Sequence, residues 1–528
     1  MTSRPDTDRG AHANDATDDL RERQLARVAA WSRALFLCVL AVFIVVIGRV
    51  VQLKVAPDPR LAPAAGAVET TRTEIARRGD LLDRRGRVLA TSTIQYRLFV
   101  DPQSVTDLDT IALDLADLLD LDPVAVDRAI QRRADTSRFI IVHDALQEWQ
   151  VQRFRAHRIA GVGLEPRLAR HYPLGHVGEQ LIGLVGFEHE GLGGLEYTFQ
   201  ASMTPRDGSL RFLRDVRRRP LWIESKGFAP AQDGQDVTLS IDMVVQEIAE
   251  RNLRGAVESH NAGGGRLVVL DCQSGEILAM ADIVRRPVGR EAILSDPARS
   301  IHPALGRNRC ATDTYEPGST FKPFIWAVAT ELKRVTPEEH LPTPDGTSGP
   351  YRTSRGRAIR DTAYLGDATW RMVLIRSLNS GMAIVGERLT PKEMREAIAG
   401  FGFGMKTDCG VPGESAGLVT SARRWTHHTQ TSVPMGHEIA ITPLQMARAF
   451  SAFARDGSLP MVRITAMDDA DERFTFRCQA IEPATARLTR SVLREVMTEG
   501  TGRRAQSQRY RLFGKSGTPQ MPKANGGG

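Results

Sequence analysis

The sequence predicts a mixed α+β chain of more than one domain, carried on one N-terminal membrane helix. Three observations predict it. An apolar run over residues 34–53, preceded by Arg21, Arg23, Arg27 and Arg33, has the roughly twenty residues needed to cross a bilayer. Segments rich in Val, Leu and Ile and bounded by turn residues, at 237–242, 266–270 and 276–280, read as strands. Leu, Ala and Val at helical spacing over 108–135 and 243–259, and a nearly all-apolar run over 324–332, read as helices. At 528 residues the chain has length for two or more domains, and 41% hydrophobic with 25% charged residues is ordinary for globular structure.

Residues 1–33 are polar before the arginines begin, and a disordered cytoplasmic tail is expected there. The arginines hold that end in the cytoplasm, while Arg49 can snorkel to the far interface. Everything after about residue 54 then lies outside the cytoplasmic membrane. A cleaved signal peptide is the rival, with small-residue sites over 62–67, but the preceding polar region is long for one. Residues 55–67, rich in Pro and Ala, read as a tether.

Residues 54–227 read as an α+β unit. A short strand, a turn at Arg84-Arg85-Gly86 and a second strand open it. Helices follow over 108–135, broken at Asp122-Pro123. A strand over 138–142 and a helix over 144–157 come next, then loop signals at 170–175 and 191–196. No nucleophile–base pair stands out in this unit. A second unit begins near 228, with a strand at 237–242, a helix over 243–259 and a hairpin whose Val/Leu-rich first strand, 266–270, reads as the buried one.

The chemistry gathers at Tyr315-Glu316-Pro317-Gly318-Ser319-Thr320-Phe321-Lys322-Pro323. Pro317-Gly318 is a turn signal, so a helix is expected from Ser319, with Pro323 in its first turn where a missing N–H costs little. Phe324, Ile325, Trp326, Ala327, Val328 and Ala329 make the rest apolar nearly all round, which marks a buried helix. Ser319 and Lys322 are three apart and share a face. A buried amine of lowered basicity beside a hydroxyl is a nucleophile with its own base. Alone this is weak, since a chain this long holds roughly one Ser-x-x-Lys by chance. Two further motifs follow in order: Ser377-Leu378-Asn379, and Lys515-Ser516-Gly517-Thr518.

The bulk properties argue against other chemistries. Lys+Arg 70 against Asp+Glu 63 leaves a net charge of +7, mild and dispersed, so no nucleic acid is expected; the run Arg214, Arg217, Arg218, Arg219 reads as a solvated face. Five cysteines stand apart and read as individual buried thiols. His427-His428 with Cys409 gives only a slight hint of zinc, and no metal or cofactor is expected.

With these residues in view the chain resembles a class B penicillin-binding protein. The three motifs carry the resemblance, together with the anchor, Arg78-Gly79, Asp83-Arg84-Arg85-Gly86, Tyr172-Pro173-Leu174-Gly175, residues 191–196, Thr442-Pro443-Leu444-Gln445 and Thr498-Glu499-Gly500. Asn379 and the Glu316-Pro317-Gly318-Ser319 context are similar to the septal, cell-division type. The resemblance implies a transpeptidase domain over 228–528, like the serine β-lactamases an antiparallel sheet flanked by helices, on an elongated α+β pedestal or dimerisation domain over 54–227. It implies a peptidoglycan D,D-transpeptidase taking stem peptides ending in D-Ala-D-Ala and acylated by β-lactams. Ser319 would be the nucleophile and Lys322 its base. Ser377 would relay the proton, Asn379 would bind the substrate backbone, and Lys515 would supply charge near Ser377. Ser516 and Thr518 would meet the terminal carboxylate beside Gly517, and the N–H groups of Ser319 and Thr518 would form an oxyanion hole. A polytopic glycosyltransferase and other division proteins are the implied partners.

Two departures bear on this expectation. Pro519 follows Thr518 where the family has a small residue with an N–H. The ten residues 519–528 also stand where the family has further strands and a closing helix, so the domain reads as truncated and the strand at 515–518 as short of a neighbour. These motivate one alternative, an impaired membrane-anchored scaffold of the division or elongation machinery. A β-lactamase or β-lactam sensor is the other.

Overall fold

The computed structural model describes residues 11–55, 69–157, 159–186, 189–214, 220–284, 307–467 and 478–518. The tether at 56–67, Arg217, Arg218, Arg219, Pro519 and the rest of 519–528 lie outside them. The chain divides into two compact units, residues 1–75 with 207–231, and residues 76–206 with 232–528.

The first unit holds one long helix, Ala11–Val55, and a small sheet. Its part Leu25–Val55 is long and apolar enough to cross a membrane and buries nothing against the protein. The disorder expected over 1–33 is corrected from Ala11 onward. Nucleation is the costly step in helix formation, and once the apolar run is helical the Ala, Leu, Arg and Glu before it extend it readily. The sheet is antiparallel, with Gly208–Arg214 between Glu69–Glu74 and Pro220–Ala229.

The second unit opens with the strand–turn–strand read from Arg84-Arg85-Gly86. Leu81–Leu82 pairs antiparallel with the long strand Val88–Val100, and Gly86 takes the left-handed turn position at φ 76°. Val88–Val100 is the centre of a five-stranded sheet, flanked by Ile140–Leu146 and Val162–His171. The last strand covers residues to which the sequence reading gave no strand and runs into the loop signals read at 170–175. Its polar, Arg-rich sequence is a poor strand signal, and pairing with Val88–Val100 overrides it. The helices Leu108–Leu119 and Pro123–Gln131 break at Asp122, whose carboxylate caps Val124 N at 3.0 Å. With Glu148–His157 they bury Leu98, Leu115, Ile130 and Phe154.

Three charged side chains are buried at the heart of this region. Arg78 and Glu196 are fully buried and Arg170 nearly so. Arg78 Nε and Arg170 Nε each donate to the Glu196 carboxylate at 2.8 Å, and Arg78 also donates to Glu196 O, His189 O and Gln200 Oε1. Glu196, in the short helix Gly194–Thr198 that replaces the second half of the loop read over 191–196, is thereby tied to Arg78 and to Arg170 on the strand Val162–His171.

Further on, Asp242 caps the helix Met243–Ser259, which lies over the hairpin Gly264–Leu270 and Ile277–Val284. The buried strand is the second, through Ala279, Met280 and Ala281, which corrects the sequence reading; the helix packs its Ala249 on that strand, where small side chains allow close approach. Among the described residues this hairpin is the only sheet longer than two-residue pairs in 232–518. The thiols of Cys310 and Cys409 are buried, Cys272 is half-buried, and Cys38 and Cys478 are exposed, so only two of the five fit the buried expectation.

The largest core surrounds the helix Lys322–Glu331. Phe324 lies 4.8 Å from the ring of Phe401 and 5.1 Å from that of Phe403, and Trp326 stacks on Trp370. Such packing makes the helix a rigid mount for whatever stands at its beginning.

Candidate active site

Ser319 sits in a 3-10 turn, Gly318–Phe321, that leads into the helix beginning at Lys322. The α-helix expected from Ser319 is corrected by Pro323. An α-helical bond to Ser319 O would need the N–H that proline lacks, so Lys322 N takes that carbonyl one residue earlier. The turn is held from outside: Gly318 N donates to Gly436 O at 3.0 Å, and Tyr315 pairs with Ile441. Gly436 has φ 83°, and a Cβ there would stand 2.0 Å from Gly318 O. Gly436→Ala is therefore expected to cost about 3–5 kcal/mol of stability, read by denaturant unfolding, since it combines left-handed strain with a backbone clash.

Lys322 is fully buried. Its Nζ donates to Ser377 O and Asn379 Oδ1, both at 2.7 Å, and to Ser377 Oγ at 3.2 Å. Burial pushes its pKa well below the ordinary lysine value; the charge of Lys515 pushes the same way, and Asp361 opposes it. The solvated lysine of a chance motif is thereby excluded. Ser377 caps the helix Trp370–Arg376 in the left-handed region, at φ 60° and ψ 41°, which turns the chain so that Asn379 can begin the helix Asn379–Arg388.

Asp361 belongs to this group and the sequence reading missed it. Its carboxylate accepts from the N–H groups of Asn379 and Ser380 and from the Ser380 hydroxyl, while Arg360 O accepts from Asn379 Nδ2 at 3.0 Å. A signal was present. The helix starting at Asn379 has Leu378 at its N-cap, which supplies no acceptor, so a remote carboxylate fills that role.

Residues 515–518 are irregular, not a strand; no ladder partner stands beside them among the described residues. The segment nevertheless reaches the nucleophile turn. A Cβ on Gly517 would lie 2.8 Å from Thr320 Cγ2 and 3.0 Å from Pro317 O, so the missing side chain is what permits this approach. Lys515 is half-buried, and burial brings its pKa down to about 8. Its Nζ donates to Ser516 O, and the Ser516 hydroxyl donates to Thr501 Oγ1 at 2.8 Å. Thr518 is exposed. Among the described residues the Ser319 hydroxyl makes no hydrogen bond, and the backbone N–H groups of Ser319 and Thr518 have no acceptor. The residues 319, 322, 377, 379 and 515–518 thus gather around one place, with Lys322 bonded to Ser377 and Asn379 rather than to Ser319.

His427 and His428 each face a carboxylate, Glu387 and Glu438, and Cys409 lies in a different core, so the three do not meet.

A half-buried hydroxyl at the mouth of a helix, a buried amine of reduced basicity, a second hydroxyl and a second amine make an acyl-transfer constellation. A family model for the penicillin-binding protein transpeptidase domain matches residues 265–528, and one for the penicillin-binding protein dimerisation domain matches residues 73–239. The chain belongs to the penicillin-binding protein transpeptidase family, in its class B branch. It is 30% identical over 460 residues to the probable peptidoglycan D,D-transpeptidase PenA of Neisseria meningitidis, covering 85% of this chain and 74% of that protein. It is 28% identical over 506 residues to peptidoglycan D,D-transpeptidase FtsI of Escherichia coli, covering 94% of this chain and 83% of that one. The solved structure of penicillin-binding protein 3 from Mycobacterium tuberculosis, complexed with aztreonam, shares the fold with a TM-score of 0.61 at 22% identity, over 86% of this chain and 84% of that one.

Proposed function

We propose that this chain is a peptidoglycan D,D-transpeptidase of the septal type, anchored in the bacterial cytoplasmic membrane with its N-terminus inside. In this reading the pedestal runs over 54–227 and the catalytic domain begins near 228. The burial of Lys322 against Ser377 and Asn379 carries the reading, because it sets an amine of lowered basicity one turn from the Ser319 hydroxyl and in contact with a second hydroxyl. Ser319 Oγ attacks the carbonyl carbon of the penultimate D-Ala of a stem peptide. The C–N bond to the last D-Ala breaks, and the hydroxyl proton passes through Lys322 and Ser377 to the leaving amine. An amine of a neighbouring stem peptide then attacks the ester, forming the cross-link and returning the proton to Ser319. Asn379 holds the donor backbone. Lys515 and Thr518 face its terminal carboxylate, and Ser516 joins them by leaving Thr501. The free N–H groups of Ser319 and Thr518 receive the oxyanion, a role commonly worth about 3–4 kcal/mol per donor. A membrane glycosyltransferase that makes the glycan strands, and other division proteins, are the partners this duty calls for.

β-Lactams present the same acyl carbon, so mass spectrometry after benzylpenicillin treatment is expected to find one adduct, on Ser319. An adduct elsewhere, or none, overturns the assignment.

Acylation needs Lys322 neutral and Lys515 charged. The rate is expected to rise with pH as the residual proton leaves Lys322, whose pKa is lowered, and to fall above about pH 8 as Lys515 loses its own. A pH profile of benzylpenicillin acylation checks both limbs. Lys515→Arg should move the alkaline limb upward, because guanidinium keeps its charge.

A further inference from the structure

The helix Asn379–Arg388 is held at both ends by one short hairpin. Tyr351–Arg352 and Ala358–Ile359 pair antiparallel around a tight turn in which Gly356 has φ 80°. At the C-terminal end of the helix, Glu387 gathers three groups. Ser354 donates to its Oε1 through both N–H, at 3.0 Å, and hydroxyl, at 2.6 Å; Tyr351 OH donates to Oε2 at 3.1 Å; His427 Nε2 lies 2.7 Å from Oε1. Two residues past the hairpin's second strand, Asp361 receives the N–H groups of Asn379 and Ser380 at the other end. Arg357 Nη1 ties the same hairpin to Thr431 Oγ1 at 2.9 Å and Ser432 Oγ at 2.7 Å.

Eight residues of helix put these two attachments about 12 Å apart. We propose that the hairpin and its extension to Asp361 form a strap that sets the axial position of this helix, and that Glu387 is a remote positioning residue for Asn379 and, through it, for Lys322. Glu387 touches no reacting atom. Burial disfavours its charge, and the hydrogen bonds from Ser354, His427 and Tyr351 outweigh that and keep it ionised. A carboxylate held charged with so many donors is a firm anchor for the far end of the strap. The near end matters because Leu378 offers no cap, so the first N–H groups of the helix depend on Asp361 alone.

The inference rests on the transpeptidase reading only for its kinetic arm. Amide hydrogen exchange of Asn379 and Ser380 in the full chain requires no substrate. Glu387→Ala is expected to speed exchange at both amides by about tenfold while amides of the Lys322–Glu331 helix keep their wild-type rates. In benzylpenicillin acylation, Glu387→Ala and Asp361→Ala should each slow the reaction by roughly tenfold, and the double variant should be no more than about twofold slower than Asp361→Ala, since both cut one strap. Wild-type exchange rates at Asn379 and Ser380 in folded Glu387→Ala, or kinetic effects that multiply in the double variant, overturn the proposal. Should Glu387→Ala fail to fold, Tyr351→Phe with Ser354→Ala removes the hydroxyl bonds and leaves the charge beside His427; the same acceleration is expected and its absence is equally decisive. Absence of any adduct in the wild type would count against the transpeptidase reading, and the exchange measurement would still decide the strap.

Discussion

Ser319→Ala should leave the protein folded and end covalent labelling by a fluorescent penicillin. The side chain is half-buried and makes no hydrogen bond among the described residues, so its loss strands no partner. The melting temperature should therefore stay within a degree or two of wild type, as for other mild surface changes. Chemistry is the opposite case. Lys322, Ser377 and Asn379 remain, bonded to one another as before, and have nothing to deprotonate. Loss of the nucleophile in serine acyl transfer costs roughly six orders of magnitude in rate, so a labelled band on a denaturing gel should disappear entirely. A band persisting in Ser319→Ala would move the nucleophile elsewhere. Lys322→Ala is a weaker discriminator, because it also leaves Asn379 Oδ1 and Ser377 O buried without their donor.

Glu196→Ala should be the most damaging single change for stability. It removes the one carboxylate between two arginines, neither of which can reach water. An arginine cannot shed its proton to escape, as a lysine can. Breaking a buried pair from one side typically costs about 3–5 kcal/mol, and here two cations are left at once. Denaturant unfolding of the detergent-solubilised protein should show a loss at or above that range. A loss under 1 kcal/mol would mean that the Arg78 bonds to His189 O, Gln200 Oε1 and Glu196 O suffice by themselves. Glu196→Gln should fall between, since the amide keeps acceptor oxygen but no charge.

The helices and turns that the sequence reading named, up to the helix at Lys322, were legible because their signals are local; the later helices, such as Asn379–Arg388 and Pro483–Thr498, were not assigned. Asp122-Pro123 marked a helix start and Gly86 a turn; Thr442-Pro443-Leu444-Gln445, noted only for its resemblance, proves to be a capping box in which Thr442 and Gln445 satisfy each other's N–H. What the sequence hid is made by partners far apart in it. Val162–His171 is a strand because Val88–Val100 lies beside it, and its arginines gave no hint of that. Arg78 and Glu196 could be flagged as motif residues, but nothing local joins them. Ser319, Lys322, Ser377 and Asn379 were found because each lies in a short pattern with chemical meaning. Asp361 was not, since a single aspartate before Thr362 looks like any other; only the poor cap at Leu378 pointed toward a missing acceptor. Residues 515–518 were read as a strand from resemblance, and the described chain sets nothing alongside them to make one.

Ser377 adopts a backbone shape that suits glycine better than serine. Selection of this protein for heat resistance alone would thus reward Ser377→Gly, which relaxes the bend and deletes the hydroxyl facing Lys322. A library screened by survival of fold rather than by wall synthesis would drift toward sturdier and silent molecules at this codon, and a melting curve would record the gain without the loss.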